Sequence, residues 1–173
     1  MQSGTLTLNG AAPPTSGVSG GGTFNQTGGT VNSGTYFENG VAGGNTASLN
    51  LSGGSFVNTG ELLNGFATNG NLTVSGTASL NLNLLSWGDG PSHAVNMALN
   101  GGTMALNYFN KRTGGSPLSV SFNGTLLQGK STQAGFLSAD PTVTATVSTG
   151  GARFDSQGYN LTISAPLLHD SAL

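Results

Sequence analysis

The chain has 173 residues, a length that suits a single domain. Charged residues make up 6% of it where about 25% is typical, and the net charge of −2 comes with no basic stripe, which argues against binding to a nucleic-acid backbone. No apolar stretch approaches about 18 residues, so the sequence predicts no membrane-spanning helix. The absence of cysteine excludes disulfides and thiolate metal sites.

A short glycine-led phrase recurs along the whole chain. It consists of Gly, a small or hydroxyl residue and a mostly apolar stretch, and successive copies start 22 to 27 residues apart. The seven copies start at Gly4, Gly29, Gly54, Gly76, Gly102, Gly124 and Gly151. An interval of this size marks an array in which each unit buries its apolar face by stacking on its neighbours.

Apolar residues alternate with Thr, Ser or Asn throughout the chain. In chain order the runs are Leu6/Leu8, Leu49/Leu51, Leu72/Val74, Leu80/Leu82/Leu84, Leu118/Val120/Phe122, Val143/Ala145/Val147 and Leu161/Ile163. A period of two predicts half-buried strands, and no window predicts a helix. A sandwich or barrel need not repeat its sequence, so the repeat favours one β-solenoid domain over residues 1–173, with about seven coils and a length of roughly 30 Å.

Turns and loops are predicted from the residues that interrupt the alternation. We expect a ladder of stacked asparagines at the turns, formed by Asn9, Asn32, Asn58, Asn81 and Asn107. We expect projecting loops near residues 86–93, 110–117 and 130–141, and functional residues concentrate on such loops.

The segment Gly150–Leu167, GGARFDSQGYNLTISAPL, resembles the autotransporter-associated β-strand repeat, as do SGTLTLNG, GGTVNSG and GGSFVNTG. The resemblance implies a right-handed parallel β-helix from the passenger domain of a bacterial type V secretion or related surface protein. Such passengers lie between an export signal and an outer-membrane barrel. We therefore expect a passenger fragment or a relative, located at the cell surface or outside a Gram-negative-type bacterium.

These observations predict a structural or adhesive segment that acts as a stiff stalk or adhesion surface, without catalysis, cofactor or metal. The expected partners are a host or matrix surface, glycans, or further coils stacked head to tail. The alternative is a carbohydrate-active β-helix enzyme, a polysaccharide lyase or glycoside hydrolase, or a carbohydrate-binding module. Hydrolysis usually needs two carboxylates facing one bond. Glu38 and Glu61 are candidates on neighbouring coils, but we interpret them as solvated turn residues.

Two other motifs are weaker. The run from Gly124 to Ser131 matches the phosphate-binding pattern GxxxxGK[ST], but no helix is predicted after it, and its glycines are those of the repeat. We interpret Lys130 as a solvated loop lysine. His93 and His169 are 76 residues apart and have no nearby ligand set, so no metal site is predicted.

The best candidate binding patch combines the only tryptophan with polar and charged residues about one coil apart. An aromatic side chain beside polar groups can stack on a sugar ring, and aromatic residues and arginine are enriched at binding hot spots. The alternative is that the tryptophan covers an open side of the core. The patch consists of Trp87, Asp89, His93, Tyr108, Lys111 and Arg112.

Overall fold

The computed structural model describes residues 3–8, 16–18, 21–41, 44–88 and 93–171, and all regular elements in them are β-strands. Every strand pairing is parallel. The chain winds in coils, and each coil adds one strand segment to each of three stacks. The described residues form about six turns. The predicted all-β solenoid is therefore confirmed, with about one coil fewer than expected.

The stacks are numbered in the order in which the chain passes through them within one coil. Two long strands cross all three stacks, namely β5 (Ala47–Asn64) and β6 (Gly70–Trp87). Two cross the first and second stacks, namely β3 (Thr23–Ser33) and β7 (Val95–Leu106). The first stack is completed by β9 (Leu118–Phe122), β12 (Val143–Val147) and β15 (Leu167–His169). The second is completed by β1 (Thr5–Leu8), β10 (Leu126–Gly129) and β13 (Arg153–Asp155). The third also contains β2 (Ser16–Val18), β4 (Tyr36–Asn39), β8 (Tyr108–Lys111), β11 (Gln133–Leu137) and β14 (Leu161–Ile163).

The core is built from columns of apolar side chains, one from each coil. In the first stack, residues directly above one another, each no more than 1% exposed, are Leu49, Leu72, Met97, Val120 and Ala145. Phenylalanines join the stacks, as where the rings of Phe37 and Phe56 meet edge to face at 5.2 Å. Each large buried side chain contributes roughly 1.5–3 kcal/mol, so the core stabilises the stacking of every coil on the next.

The recurring glycine lies at the corner that precedes the second stack. All seven phrase glycines have positive φ angles, between +58° and +95°, which side chains with a Cβ rarely adopt. At Gly54 an added Cβ would also lie 2.3 Å from the carbonyl oxygen of Gly29 in the preceding coil. The repeat in the sequence is thus the repeat of one tight corner.

The predicted asparagine ladder is wrong in its members. Asn32 lies opposite Val57, whereas Asn58 lies opposite Ser33, so the two are out of register. Asn9 lies outside the described residues. Of the predicted members, Asn107 does meet an asparagine at a corner, because its Nδ2 donates to Asn83 Oδ1 at 2.6 Å. The other asparagine pairs one coil apart include Asn25–Asn50, Asn71–Asn96 and the buried pair Asn39–Asn64. The repeat interval was correct, but it applies mostly to different asparagines.

The expected loops are partly strands. Ser86 and Trp87 end β6, residues 110–111 belong to β8, and β11 lies within 130–141. The sequence of β11 does not alternate, because the adjacent residues Phe136 and Leu137 are both fully buried. This is the reason that the period-two pattern missed it.

Candidate functional site: a cleft in the third stack

The third stack has a discontinuity that the other two lack in the described part of the chain. β4, β5, β6 and β8 follow one another in a continuous ladder, and β11 pairs with β14, but no ladder joins β8 to β11. Some Cα atoms of β8 and β11 nevertheless approach within 8 Å. The two strands are therefore neighbours with a cleft between them.

The corner before the third stack lengthens where the ladder breaks. In the coil of β8 this corner is Asn107 alone, whereas in the coil of β11 it spans residues 130–132. The longer corner is held to the shorter one by a hydrogen bond of 2.7 Å from Ser131 Oγ to Asn107 Oδ1. The break in the ladder thus coincides with a corner that is two residues longer than its predecessor.

Trp87 occupies a position that asparagine fills in the two preceding coils. Asn39, Asn64, Trp87 and Lys111 are directly above one another. Asn39 Nδ2 donates to Asn64 Oδ1 at 2.7 Å, and Asn64 Nδ2 donates to the carbonyl oxygen of Asn96 at 3.2 Å. Trp87 is 2% exposed, and its Nε1–H has no hydrogen-bond partner in the described structure. The change from amide to indole thus leaves one buried donor unpaired.

The cleft has a volume of about 290 Å³. Trp87, Tyr108 and Phe109 are its aromatic lining residues, and the ring of Phe109 meets that of Phe136 at 5.8 Å. The polar side chains that line it are Asn110, Lys111, Gln133, Ser138 and Asp140. It combines aromatic surface with amide and hydroxyl groups, as small-molecule sites do.

An ion pair spans the cleft. Lys111 Nζ, at the end of β8, lies 2.7 Å from Asp140 Oδ2, in the segment after β11. Asp140 Oδ1 also accepts hydrogen bonds from Thr142 N at 2.8 Å and Thr142 Oγ1 at 2.5 Å. The hydrogen bond from Lys111, followed by those from Thr142, lowers the pKa of Asp140 to about 2. The two charges compensate each other, so the lining carries no net charge.

Arg112 belongs to a separate polar network on the outer side of the third stack. Its Nη2 and Nε lie 2.6 Å and 3.1 Å from the two carboxylate oxygens of Glu61, two coils away. Burial raises the pKa of Glu61, but hydrogen bonds from Arg112, Ser86 and Asn110 and the charge of Arg112 outweigh it and hold that pKa below its ordinary value. This bidentate pair connects three successive coils.

The structure therefore brings part of the predicted patch together. Trp87, Tyr108 and Lys111 line the cleft, whereas Arg112 faces Glu61. Trp87 is buried in the core cluster, as the core-covering interpretation has it. His93 is partly exposed and does not line the cleft, and Asp89 lies outside the described residues.

Several lining residues were not predicted from the sequence. Phe109, Gln133, Ser138 and Asp140 lie on β8, on β11 or just after β11. The signal that could have identified them is the longer interval between the alternating run of β10 and the next apolar pair. That interval can be seen in the sequence. The sequence does not show that the strand after it, β11, lies close to β8.

A second, open depression of about 410 Å³ lies on the outer face of the second stack. Lys130 borders it and donates to Asn81 Oδ1 at 2.8 Å and to the carbonyl oxygen of Leu82 at 2.9 Å. Burial lowers the pKa of Lys130. Its neighbour Gly129 ends β10, and no helix follows in the described residues, so the phosphate-loop geometry is not formed.

The two candidate carboxylates lie on neighbouring strands of the third stack. Glu38 is opposite Leu63 and Glu61 is opposite Tyr36, so the two are offset by two residues along the strands. Both lie in strands and are buried, with 6% and 7% of their surface exposed, so the interpretation as solvated turn residues is wrong. Within the described residues, no group of three or more His, Asp and Glu side chains is placed to hold a metal ion.

Comparison with known proteins adds no relative. No family model matches the chain, and neither a curated protein nor a solved structure matches it. The described residues also include no helix of the length and hydropathy needed to cross a bilayer.

Proposed function

We propose that the chain is a stiff structural and adhesive segment of a surface-exposed or secreted bacterial β-helix, similar to autotransporter passengers, and that it acts without catalysis. The observation that carries the proposal is the uninterrupted second stack. In it β1, β3, β5, β6, β7, β10 and β13 are joined by parallel ladders in register. Backbone hydrogen bonds along the axis and a continuous apolar core resist bending and extension, which is what a stalk needs.

The acidic residues also support a role without catalysis. A general acid in glycoside hydrolysis needs a raised pKa, so that its carboxyl is protonated near neutral pH. Glu61 is shifted in the opposite direction, and both of its oxygens are held by Arg112. Its geometry suits a structural ion pair.

The last described strand supports the proposed stacking of coils. On β15, Leu167 and Leu168 are 41% and 51% exposed, unlike the inward leucines of earlier coils. An exposed apolar strand edge is a surface for adding a further strand. The proposed partner at this end is another coil of the same type.

Surface labelling tests the location. The chain has no cysteine, so Thr113→Cys, at an exposed position, adds one thiol to it. In the natural reading frame and the source cells, a membrane-impermeant maleimide should label Thr113→Cys on intact cells. Ala145→Cys, at a fully buried position, is the matched control and should label only after unfolding. Labelling of Thr113→Cys only after lysis would contradict the proposal.

A polysaccharide panel tests the absence of catalysis. The folded chain should release no reducing ends or unsaturated products from neutral or acidic polysaccharides. Release that is abolished by Glu61→Gln would instead support the enzyme alternative.

A further inference from the structure

The unpaired indole N–H of Trp87 is the starting point. Buried tryptophan N–H groups nearly always have an acceptor, since an unpaired donor loses the hydrogen bond that water would give it. In the preceding coil the corresponding side chain, Asn64, is an amide whose Nδ2 donates to the carbonyl oxygens of Asn96 and Gly70. Trp87 is unpaired in the coil that borders the cleft, and it lines that cleft. A bound molecule with an acceptor oxygen would complete the site.

The shape of the cleft limits the class of ligand. Two strands separated by an inserted third strand lie about 9.6 Å apart, twice the usual spacing. Cα atoms of β8 and β11 approach within 8 Å, so an extended peptide does not fit between them. The volume of about 290 Å³ lies at the lower end of small-molecule sites. A single compact ring is the size of group that the cleft can hold.

The chemistry of the lining then selects among compact rings. Tyr108 offers aromatic surface, while Gln133 offers an amide group from the other strand. The amide of Asn110 already donates to Ser86 Oγ at 3.1 Å and to Glu61. The one cation, Lys111, is already paired with Asp140 across the cleft, which leaves no free positive charge for a carboxylate or sulfate. An uncharged ring that has an apolar face and hydroxyl groups around its edge matches this lining.

We propose that the cleft between β8 and β11 binds one ring of a neutral saccharide. A ring oxygen or hydroxyl accepts the Trp87 Nε1–H, the sugar face lies against Tyr108, and the Gln133 amide bonds hydroxyls from the opposite strand. The Lys111–Asp140 pair at the cleft provides one further donor and one further acceptor. This binding does not depend on the proposed function, since it requires only the folded coils.

Trp87 itself provides the readout, because it is the only tryptophan and gives a single indole ¹H–¹⁵N resonance. The ¹⁵N-labelled chain is titrated with maltotriose, cellotriose and mannotriose, and separately with trigalacturonate. At least one neutral trisaccharide should shift the indole resonance saturably below about 20 mM, in the millimolar range expected of a small open site. If no neutral trisaccharide does so, or if only trigalacturonate does, the proposal is wrong.

Variants then localise the binding. Tyr108→Leu should weaken the bound trisaccharide roughly tenfold or more. The fold tolerates leucine there, because Leu84 occupies the same position one coil earlier. Gln133→Ala, on the other strand, should also weaken it and provides a second test if Tyr108→Leu is poorly folded. Tyr159→Ala removes an exposed aromatic at the second depression and is the matched control, with an affinity within about twofold of the parent. Equal weakening by Tyr159→Ala would overturn the assignment to the cleft.

Discussion

The second and third stacks behave differently within the same coil. In the coil that contains β9, β10 and β11, strand β10 is bonded to β7 on one side and to β13 on the other. β11 is bonded to β14 alone. The corner before β10 spans residues 123–125, and residues 100–102 of β7 occupy the same place in the coil before it, between the ladder pairs Leu99–Phe122 and Thr103–Leu126. The corner before β11 is longer than its predecessor, Asn107.

The comparison teaches that one stack can break while the other two hold the same coils together, because β9 and β10 both pair with β7. The break coincides with a corner that lengthens from one residue to three. Corner length alone does not decide the outcome, because the corner before β13 is two residues longer than the one before β10 and β13 still pairs with β10. At the break no ladder joins β8 to β11, and the cleft lies between them.

The corners of the continuous region should be the most sensitive positions. Gly54→Ala places a Cβ 2.3 Å from the Gly29 carbonyl oxygen at a φ of +79°, so we expect the free energy of unfolding to fall by about 3 kcal/mol or more. Gly151→Ala is the matched control, since its φ is +76° but no atom lies within 4 Å of the added Cβ. Its free energy of unfolding should fall by about 1 kcal/mol. Urea unfolding followed by circular dichroism measures both. Equal losses would mean that contact between coils does not constrain these corners.

This regular part of the molecule is also the part that the sequence predicts well. Glycines 22 to 27 residues apart and alternating apolar runs predict the solenoid because both recur in every coil for the same geometric reason. The register of individual side chains was harder to predict. The phrase glycines correspond, since Thr30 lies opposite Ser55, but Asn32 is three residues after Gly29 and Asn58 is four after Gly54. The two asparagines, chosen because they follow the strands, are therefore not opposite each other.

The Glu61–Arg112 pair should have the next largest effect. Glu61→Gln leaves Arg112 without its counter-ion in a half-buried network, so we expect a loss of about 2 kcal/mol at neutral pH. Arg112→Lys keeps the positive charge but removes the bidentate contact with Glu61, so the free energy of unfolding should fall by less than in Glu61→Gln. Urea unfolding at pH 7 measures both variants. If Glu61→Gln leaves the free energy of unfolding unchanged, the ion pair does not help to hold the coils together.

The pH dependence provides an independent check on this pair. The folded pKa of Glu61 lies below its ordinary value of 4.5. Its stabilisation is therefore present above that value and is lost as the pH falls through the folded pKa. Glu61→Gln should make the stability of the chain fall less steeply below about pH 4.5 than it does in the parent. Parallel pH profiles would contradict the assigned shift.

The Lys111–Asp140 pair, which spans the break, should have the smallest effect. Both side chains are about one-quarter exposed, so water and salt screen the attraction. Lys111→Met should lose only about 0.5 kcal/mol, and the loss should shrink further in about 0.5 M salt. Thermal unfolding at low and high salt measures it. A loss as large as that of Glu61→Gln would mean that the ion pair, rather than the neighbouring stacks, holds the two coils together.

The candidate site was only partly predictable, because it arises where the repeat fails. Trp87, Tyr108 and Lys111 stand out by residue type and by their spacing of about one coil. Gln133 and Asp140 do not, since nothing in a single sequence shows that the strand after a long corner stays beside β8. The partner of Arg112 is two coils away, at Glu61, a distance in sequence that no short motif spans.

Native-state hydrogen exchange compares the two stacks most directly. Mass spectrometry of peptides from β10 (Leu126–Gly129) and β11 (Gln133–Leu137) reports two strands of one coil under identical conditions. Because β10 is paired on both sides and β11 on one, amides of β10 should exchange about 100-fold more slowly than those of β11. Equal protection of the two strands would contradict the account, since it would mean that β11 is held as firmly as a strand of the continuous ladder.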